Sequence, residues 1–199
     1  MSVLLLDNFD SFTFNLFHLL EAVGFDEIDV IRNNALELGG LKNYSLIVLS
    51  PGPGLPSEAG CMMQVIDYAT KHSVPLLGIC LGHQGIAEYF GMKLKNLPQV
   101  YHGRQHIAKV LHEGYFFANL PPTLSIGRYH SWTVDLDSFN HQQFELLMTD
   151  CNGEILAMQH KNLPISGLQF HPESVLTPQG RLMVENFYRN TLSKKAVPK

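Results

Sequence analysis

Short apolar runs alternate with helix-like segments through the first half of the chain. The runs at residues 2–6, 28–31, 46–49 and 75–79 predict strands. They are apolar at consecutive positions, which is expected of strands that are covered on both faces. Strands that alternate with helices in this way predict an α/β fold with a mostly parallel, doubly wound sheet flanked by helices.

Three helices are predicted to follow the first, third and fourth of these strands. The first begins near Asp10 or Ser11, either of which would cap it, and it ends at Gly24. Its apolar positions include Phe14, Phe17, Leu20 and Val23. The second helix is expected from near Ser57 to about residue 71, and the third from about residue 82 to residue 90.

The pattern changes in the second half of the chain. Apolar runs at residues 107–111, 133–136, 144–148 and 155–159 predict antiparallel strands in a smaller sheet. Asn152 and Gly153 form a favourable hairpin turn between the last two runs. A further apolar run at residues 165–170 is followed by a helix over about residues 178–190. We therefore expect one domain over residues 1–192 and a polar tail at residues 193–199.

Composition narrows the class of protein. Of the 199 residues, 45% are hydrophobic, which is enough for the core of a single domain. The net charge is −4 and no basic stripe is present, so no nucleic-acid partner is expected. The apolar runs are too short to cross a bilayer and the N-terminus lacks the pattern of a signal peptide, so no membrane association is expected.

The cysteines and histidines do not form a disulfide framework or a metal site. Cys61, Cys80 and Cys151 are an odd number without a CxxC pair, which favours reduced thiols and a cytoplasmic location. His102 and His106 are four residues apart, but no further ligand accompanies them. No metal and no cofactor are therefore expected in this chain.

The segment "PLLGICLGHQG" places Cys80 between Gly78 and Gly82 at a predicted strand-to-helix junction. This is the G-x-C-x-G form of the nucleophile elbow, in which the flanking glycines leave room for a sharp turn. The turn would lift the sulfur above the sheet at a helix N-terminus and aim the N–H of Leu81 at a developing oxyanion. The alternative is that Cys80 is a small buried hydrophobe.

The segment "GLQFHPES" contains the histidine that fits a cysteine nucleophile best. His171 directly follows a predicted buried strand, where α/β sheets place catalytic groups. Glu173 lies two residues further on, so its carboxylate can orient the ring and stabilise the imidazolium. The alternative is a turn with a capping glutamate before the last helix.

The loop "SPGPG" follows the third predicted strand. It lacks the spacing and the lysine of a phosphate-binding P-loop. Its prolines remove N–H donors, so the loop is better suited to aim the N–H groups of Gly52 and Gly54 at a carbonyl oxygen.

Together, "SPGPG", "GICLGHQ" and "QFHPES" resemble the motifs of the class I (triad) glutamine amidotransferases in order and separation. The segment "LLLDNFDSFTFNL" is similar to the start of the glutamine amidotransferase subunits of anthranilate synthase and aminodeoxychorismate synthase. The resemblance implies a flavodoxin-like fold of the class I type. It also implies that Cys80 is the nucleophile, His171 the base and acid, and Glu173 its orienting partner.

The resemblance implies a set of residues that bind glutamine and the oxyanion. These residues are Gly52, Pro53, Gly54, Leu81, Gln84, Ser131 and Trp132. The family usually has a smaller aliphatic residue at position 132, so the resemblance implies a backbone role there.

The resemblance also implies a partner. The family hydrolyses L-glutamine, and nothing in this sequence resembles a second active site for an amine acceptor. A chorismate-binding synthase subunit of the component I type, which holds Mg²⁺, is therefore expected to receive the ammonia. Anthranilate synthesis, in the tryptophan pathway, is favoured. Aminodeoxychorismate synthesis in the folate pathway, a subunit shared by both, and a cysteine hydrolase of similar fold are the alternatives.

Two loops are candidates for the docking surface, "DNFDSF" and "VYHGRQ" at residues 100–105. The alternative for His102 and Arg104 is simple solvated polarity.

Overall fold

The computed structural model describes residues 1–98, 101 and 103–193. The first half contains β1 (Ser2–Asp7), α1 (Thr13–Ala22), β2 (Glu27–Arg32), β3 (Leu46–Leu49), α2 (Met62–His72), β4 (Leu76–Ile79) and α3 (Leu81–Tyr89). The second half contains β5 (Leu94–Asn96), β6 (Arg104–Val110), β7 (Thr123–Arg128), β8 (Trp132–Val134), β9 (Phe144–Asp150), β10 (Ile155–His160), β11 (Ile165–Leu168) and α4 (Gly180–Ser193).

Nine strands form one sheet in the order β2-β1-β3-β4-β11-β10-β9-β6-β7. The first five strands are parallel to one another. From β11 onward, β10, β9, β6 and β7 continue the sheet with antiparallel pairing. Strands β5 and β8 form a separate, small antiparallel sheet. The predicted α/β fold with a parallel core and a smaller antiparallel sheet is confirmed, although most antiparallel strands extend the main sheet.

The core lies on both faces of the sheet. Strands β3, β4 and β11 are buried at every position because helices cover both sides. One apolar cluster joins alternate strand residues to α1 and α4, and the other joins the remaining strand residues to α2 and α3. The continuous apolar runs of the sequence reflect this two-sided burial. In the described part of the chain, no helix combines the length and the apolarity that crossing a membrane requires.

Helix α1 differs from its prediction at its start and on its buried face. Phe12 occupies the N-cap position without a side-chain cap, so neither Asp10 nor Ser11 is the N-cap residue, although the carboxylate of Asp10 accepts from the N–H of Phe12 at 2.7 Å. Asp7, at the end of β1, instead accepts a hydrogen bond from the hydroxyl of Thr13 at 2.8 Å. This bond ties the helix start to the sheet edge.

The buried residues of α1 are Thr13, Leu16 and Leu20. Phe14, predicted among its apolar positions, is 61% exposed. The helix therefore turns a narrower apolar face to the core than its composition indicated.

Helix α2 begins later than predicted. A single 3-10 turn spans Pro56–Glu58, and α2 starts at Met62. Between them Gly60 has φ +54°, and a Cβ there would lie 2.7 Å from the carbonyl oxygen of Asn33. This left-handed residue breaks the helical path that was expected to begin at Ser57.

Strands β5 and β7 were not predicted.

Candidate active site

The parallel strands bring distant segments to one edge of the sheet. The "SPGPG" loop follows β3, Cys80 follows β4, and His171 comes three residues after the end of β11. Because these strands are neighbours and parallel, their carboxyl ends meet. The N–H of Cys80 donates to the carbonyl of Leu168 at 2.8 Å, which fixes the separation of the two chain segments.

Cys80 has the backbone geometry of a nucleophile elbow. Its φ of 51° and ψ of −100° are strained for a residue with a side chain. A Cβ at Gly78 would lie 2.4 Å from the backbone of Gly82, and a Cβ at Gly82 would lie 2.6 Å from the Cβ of Leu49. Gly78 is therefore required where α3 crosses β4, and Gly82 where α3 approaches the end of β3. Leu81 is the first residue of α3, so its N–H has no acceptor within the helix.

His171 and Glu173 form a buried pair. The Nδ1 atom of His171 lies 2.7 Å from the Oε1 atom of Glu173, and the two side chains are 2% and 0% exposed. The His171 backbone is held from two sides, because its N–H donates to Gly127 and its carbonyl accepts from the hydroxyl of Thr177. The carboxylate therefore fixes the Nδ1–H tautomer and leaves Nε2 as the free base.

The pKa of His171 is held well above its usual value. Burial alone would lower that pKa, but the charge of Glu173, its hydrogen bond to the ring and the nearby Cys80 outweigh it. No acceptor or donor of good hydrogen-bond geometry faces Nε2 among the described residues. The thiol nevertheless lies close enough to contribute to the pKa of the ring, so the two groups are neighbours.

Two aromatic rings flank His171, and sequence reasoning missed both. The ring of Phe12 lies 5.2 Å from the imidazole and that of Tyr129 lies 4.9 Å from it, between ring centroids. The hydroxyl of Tyr129 also pairs with the hydroxyl of Ser174 at 2.9 Å. The sequence offered one clue to these rings: Phe12 lies in "DNFDSF", and Tyr129 comes shortly before Ser131 and Trp132. The rings exclude water from the imidazole and limit its rotation.

A cavity of about 150 Å³ opens over the sulfur of Cys80. Its lining residues are Gly52, Pro53, Gly54, Cys80, Gln84, Tyr129, His130, Ser131 and Trp132. The structure thus brings together every predicted glutamine-site residue except Leu81, which is buried beside Gly52: a Cβ on Gly52 would lie 2.7 Å from its Cδ2. The roles of these residues stay predictions.

A larger cavity of about 230 Å³ lies between α4 and the loops that precede β4 and β11. It is at the opposite edge of the sheet, and its lining contains no acidic, basic, histidine or cysteine side chain. The smaller cavity is therefore the candidate active site, because the reactive groups are there.

Two glutamine side chains connect the cavity wall to the sulfur. The Nε2 of Gln84 donates to the carbonyl of Trp132 at 2.8 Å and to the Oε1 of Gln169 at 3.1 Å. The Nε2 of Gln169 in turn lies 3.7 Å from the sulfur of Cys80. Gln169 was not predicted as a site residue, although it stands in the "QFHPES" motif.

The "SPGPG" loop is fastened to the end of β1. The N–H of Asn8 donates to the hydroxyl of Ser50 at 2.8 Å, and the side-chain amide of Asn8 donates to the carbonyl of Ser50 at 2.9 Å. Gly54 has φ +75°, a conformation that glycine adopts without strain. The loop is thereby rigid enough to present fixed N–H groups to the cavity.

Other sequence predictions lie away from this cavity. Arg104 is exposed at the start of β6, whereas Val100 and His102 lie outside the described residues. Within the described ranges, no group of three or more His, Cys, Asp or Glu side chains could hold a metal ion.

Comparison with known proteins gives consistent matches over nearly the whole chain. The family model described as glutamine amidotransferase class-I matches residues 4–191. The anthranilate synthase component 2 of Azospirillum brasilense is 41% identical over 193 residues, 95% of this chain and 96% of that protein. The aminodeoxychorismate synthase component 2 of Escherichia coli is 40% identical over 189 residues, 93% of this chain and 98% of that protein.

Comparison with solved structures finds proteins of the same fold. A Thermoplasma acidophilum protein provisionally described as part of a GMP synthase matches with a TM-score of 0.86 at 26% identity, over 98% of this chain and 96% of that chain. Some sequence relatives are longer: the chain spans only 31% of the bifunctional protein TrpGD of Thermotoga maritima, at 40% identity over 189 residues.

Proposed function

This chain belongs to the class-I glutamine amidotransferase family, and from that premise we propose that it hydrolyses L-glutamine and passes the ammonia to a chorismate-binding synthase subunit. Cys80, His171 and Glu173 are proposed as its catalytic triad. The observation that carries the proposal is the meeting of an elbow cysteine and a buried histidine–glutamate pair at the ends of adjacent parallel strands.

The first step is attack of the Cys80 sulfur on the side-chain carboxamide of glutamine. The Nε2 atom of His171 accepts the thiol proton, and the raised pKa of the ring supports this transfer. Glu173 stabilises the imidazolium that forms. The N–H groups of Leu81 and Gly52 are proposed to bind the oxyanion, where one such donor contributes about 2.7–4 kcal/mol.

The imidazolium of His171 then returns its proton to the departing nitrogen, and ammonia leaves with the C–N bond electrons. A γ-glutamyl thioester remains on Cys80. Water attacks the thioester carbon while His171 again accepts a proton, and the thiolate leaves and is reprotonated as glutamate departs. No step requires a metal ion or cofactor from this chain.

The opposite wall of the cavity is proposed to hold the amino-acid end of glutamine. Gln84, Ser131 and Trp132 face the cavity, and the backbone near Trp132 is already fixed by the amide of Gln84. A polar backbone segment suits the α-amino and α-carboxylate groups, which need hydrogen-bond partners when they leave water.

A synthase partner follows from the chemistry of the product. Ammonia in neutral water is mostly ammonium, which is not a nucleophile, so release to bulk solvent would waste it. The two relatives are named as second components of synthases, which supports a partner of the component I type that binds chorismate and Mg²⁺.

Anthranilate synthesis is our first assignment and aminodeoxychorismate synthesis the second. The second is kept because the Escherichia coli aminodeoxychorismate relative is 40% identical, nearly the 41% of the anthranilate relative. The glutaminase half does not touch the chorismate ring, so the partner decides the product.

The test combines a glutaminase assay with product identification. Glutamate release is measured for this chain alone, with the chorismate-using synthase subunits of the same organism, and with added chorismate. We expect weak activity alone and a rise with the correct partner, which then forms ortho-aminobenzoate from chorismate and glutamine. A para-aminobenzoate precursor as product would support the second assignment, and equal glutamate release in all mixtures would contradict the coupling.

A further inference from the structure

A buried charge cluster stands directly behind the cavity wall. Arg128, the last residue of β7, is 0% exposed. Its guanidinium donates to Asp150 at 2.9 Å and also to Glu154, and its carbon lies 3.9 Å from the ring centroid of Tyr101. A fully buried arginine is costly unless it is paired and hydrogen-bonded, and here each of its three side-chain nitrogens donates to an acceptor, two of them carboxylates.

That further acceptor is His130. The Nε of Arg128 donates to the Nε2 of His130 at 3.1 Å. Arginine is always a donor, so Nε2 carries no proton and the neutral ring must carry it on Nδ1. Nδ1 lies 2.7 Å from the carbonyl oxygen of Trp132, to which it therefore donates.

Burial, followed by the charge of Arg128, lowers the pKa of His130 to about 3. The ring is therefore neutral near neutral pH, and its tautomer is set by Arg128 on one side and the carbonyl of Trp132 on the other.

The carbonyl that His130 holds is part of the proposed glutamine site. The carbonyl of Trp132 accepts from both Nδ1 of His130 and Nε2 of Gln84. The neighbouring carbonyls of His130 and Ser131 accept from the N–H groups of Tyr101 and Leu97. Three successive carbonyls are thus each fixed by donors, which sets the orientation of the peptide groups that line the cavity.

We propose that Arg128 and His130 are positioning residues that fix the backbone at Ser131 and Trp132 for the amino-acid end of glutamine. This inference rests on the proposed function. Arg128 sets the tautomer of His130, so the proton of the ring is on Nδ1 and is donated to the carbonyl of Trp132. Among the described residues, neither side chain makes a hydrogen bond to Cys80 or His171, so the pair acts on substrate binding and leaves the thiol chemistry itself unchanged.

The test compares two reagents that react with the same sulfur. The glutamine analogue 6-diazo-5-oxonorleucine alkylates the nucleophile only after its amino-acid end is bound, whereas iodoacetamide has no such end. Modification of the Cys80 peptide is followed by mass spectrometry over time for the wild type, His130→Phe and His130→Asn. Phenylalanine removes the donor, and asparagine places an amide N–H near the position of Nδ1.

We expect His130→Phe to slow modification by 6-diazo-5-oxonorleucine about 3- to 10-fold, the range of one lost hydrogen bond. Its rate with iodoacetamide should equal that of the wild type, and its KM for glutamine should rise more than its kcat falls. His130→Asn should recover most of the loss. The matched control is His160→Phe, a histidine that is also buried but caps a loop far from the cavity.

Three results would overturn distinct parts of the account. Equal rates for His130→Phe and the wild type with both reagents would remove the positioning role. Equal slowing with both reagents in His130→Phe and His130→Asn would show a general structural role instead. Absence of Cys80 modification by 6-diazo-5-oxonorleucine in the wild type would contradict the proposed function itself.

Discussion

At the scale of single residues, the site depends on one short contact between two buried side chains. The 2.7 Å contact between His171 and Glu173 lies between side chains that are almost fully buried. Phe12 and Tyr129 close the space around the ring. A charge pair in such surroundings acts strongly on protonation because little solvent screens it.

Replacement of Glu173 by glutamine tests this contact through pH. The folded-state pKa of His171 is raised above its unfolded value of about 6.5. The stabilisation is therefore complete below about pH 6.5 and is lost as the pH rises through the raised pKa. We expect Glu173→Gln to lower the free energy of unfolding more at about pH 5.5 than at about pH 9, measured by urea unfolding.

The same variant should lose activity. Without the carboxylate the imidazolium is not stabilised, and kcat for glutamine hydrolysis should fall at least about 100-fold. A pH-independent stability difference, with kcat near that of the wild type, would refute the assigned role of Glu173.

At the scale of elements, the crossing of β4 and α3 creates the elbow. A Cβ at Gly78 would press on the backbone of Gly82, and backbone cannot rotate away as a side chain can. The strained φ of Cys80 therefore persists only because this crossing holds it.

Replacement of Gly78 by alanine should accordingly destabilise the fold by at least about 2 kcal/mol, the cost of overpacking a rigid core. Gly40→Ala is the matched control, because a Cβ there meets nothing within 4 Å. Urea unfolding of the two variants provides the measurement. Similar free energies of unfolding for both would be incompatible with the close crossing.

The sequence predicts some elements well and others poorly, for identifiable reasons. Strand β3 has the predicted bounds because a run that is buried on both faces is apolar at every position. Strand β7 was not predicted because it ends in Arg128. A charged residue is expected at the surface, whereas Arg128 is fully buried.

The residues of the candidate site likewise differ in whether the sequence alone identifies them. Cys80, His171 and Glu173 stand in local motifs that short-range spacing identifies. The parts played by Gln169 and His130 depend on partners that only the fold supplies: Gln169 reaches the sulfur of Cys80 across 89 positions of sequence. The tautomer of His130 is set by Arg128, whose carboxylate partners come from the β9–β10 hairpin.

At the scale of the whole molecule, the two halves of the chain each supply part of one site. Cys80 and the "SPGPG" loop come from the first half, whereas the histidine–glutamate pair and the segment at Tyr129–Trp132 come from the second. Strand β11 joins them by pairing with β4 in the parallel core. The sheet order, with the last strand inserted beside β4, therefore brings Cys80 together with the His171–Glu173 pair.

We propose that the sulfur of Cys80 attacks glutamine, while the synthase partner uses the ammonia. The most direct measurement is the rate of product formation from chorismate by the complex that contains Cys80→Ser, with glutamine or with ammonium salt as the nitrogen source. We expect the glutamine-dependent rate to fall at least about a thousandfold, and the ammonia-dependent rate to stay at the wild-type level. A Cys80→Ser complex that uses glutamine as fast as the wild type would contradict the account.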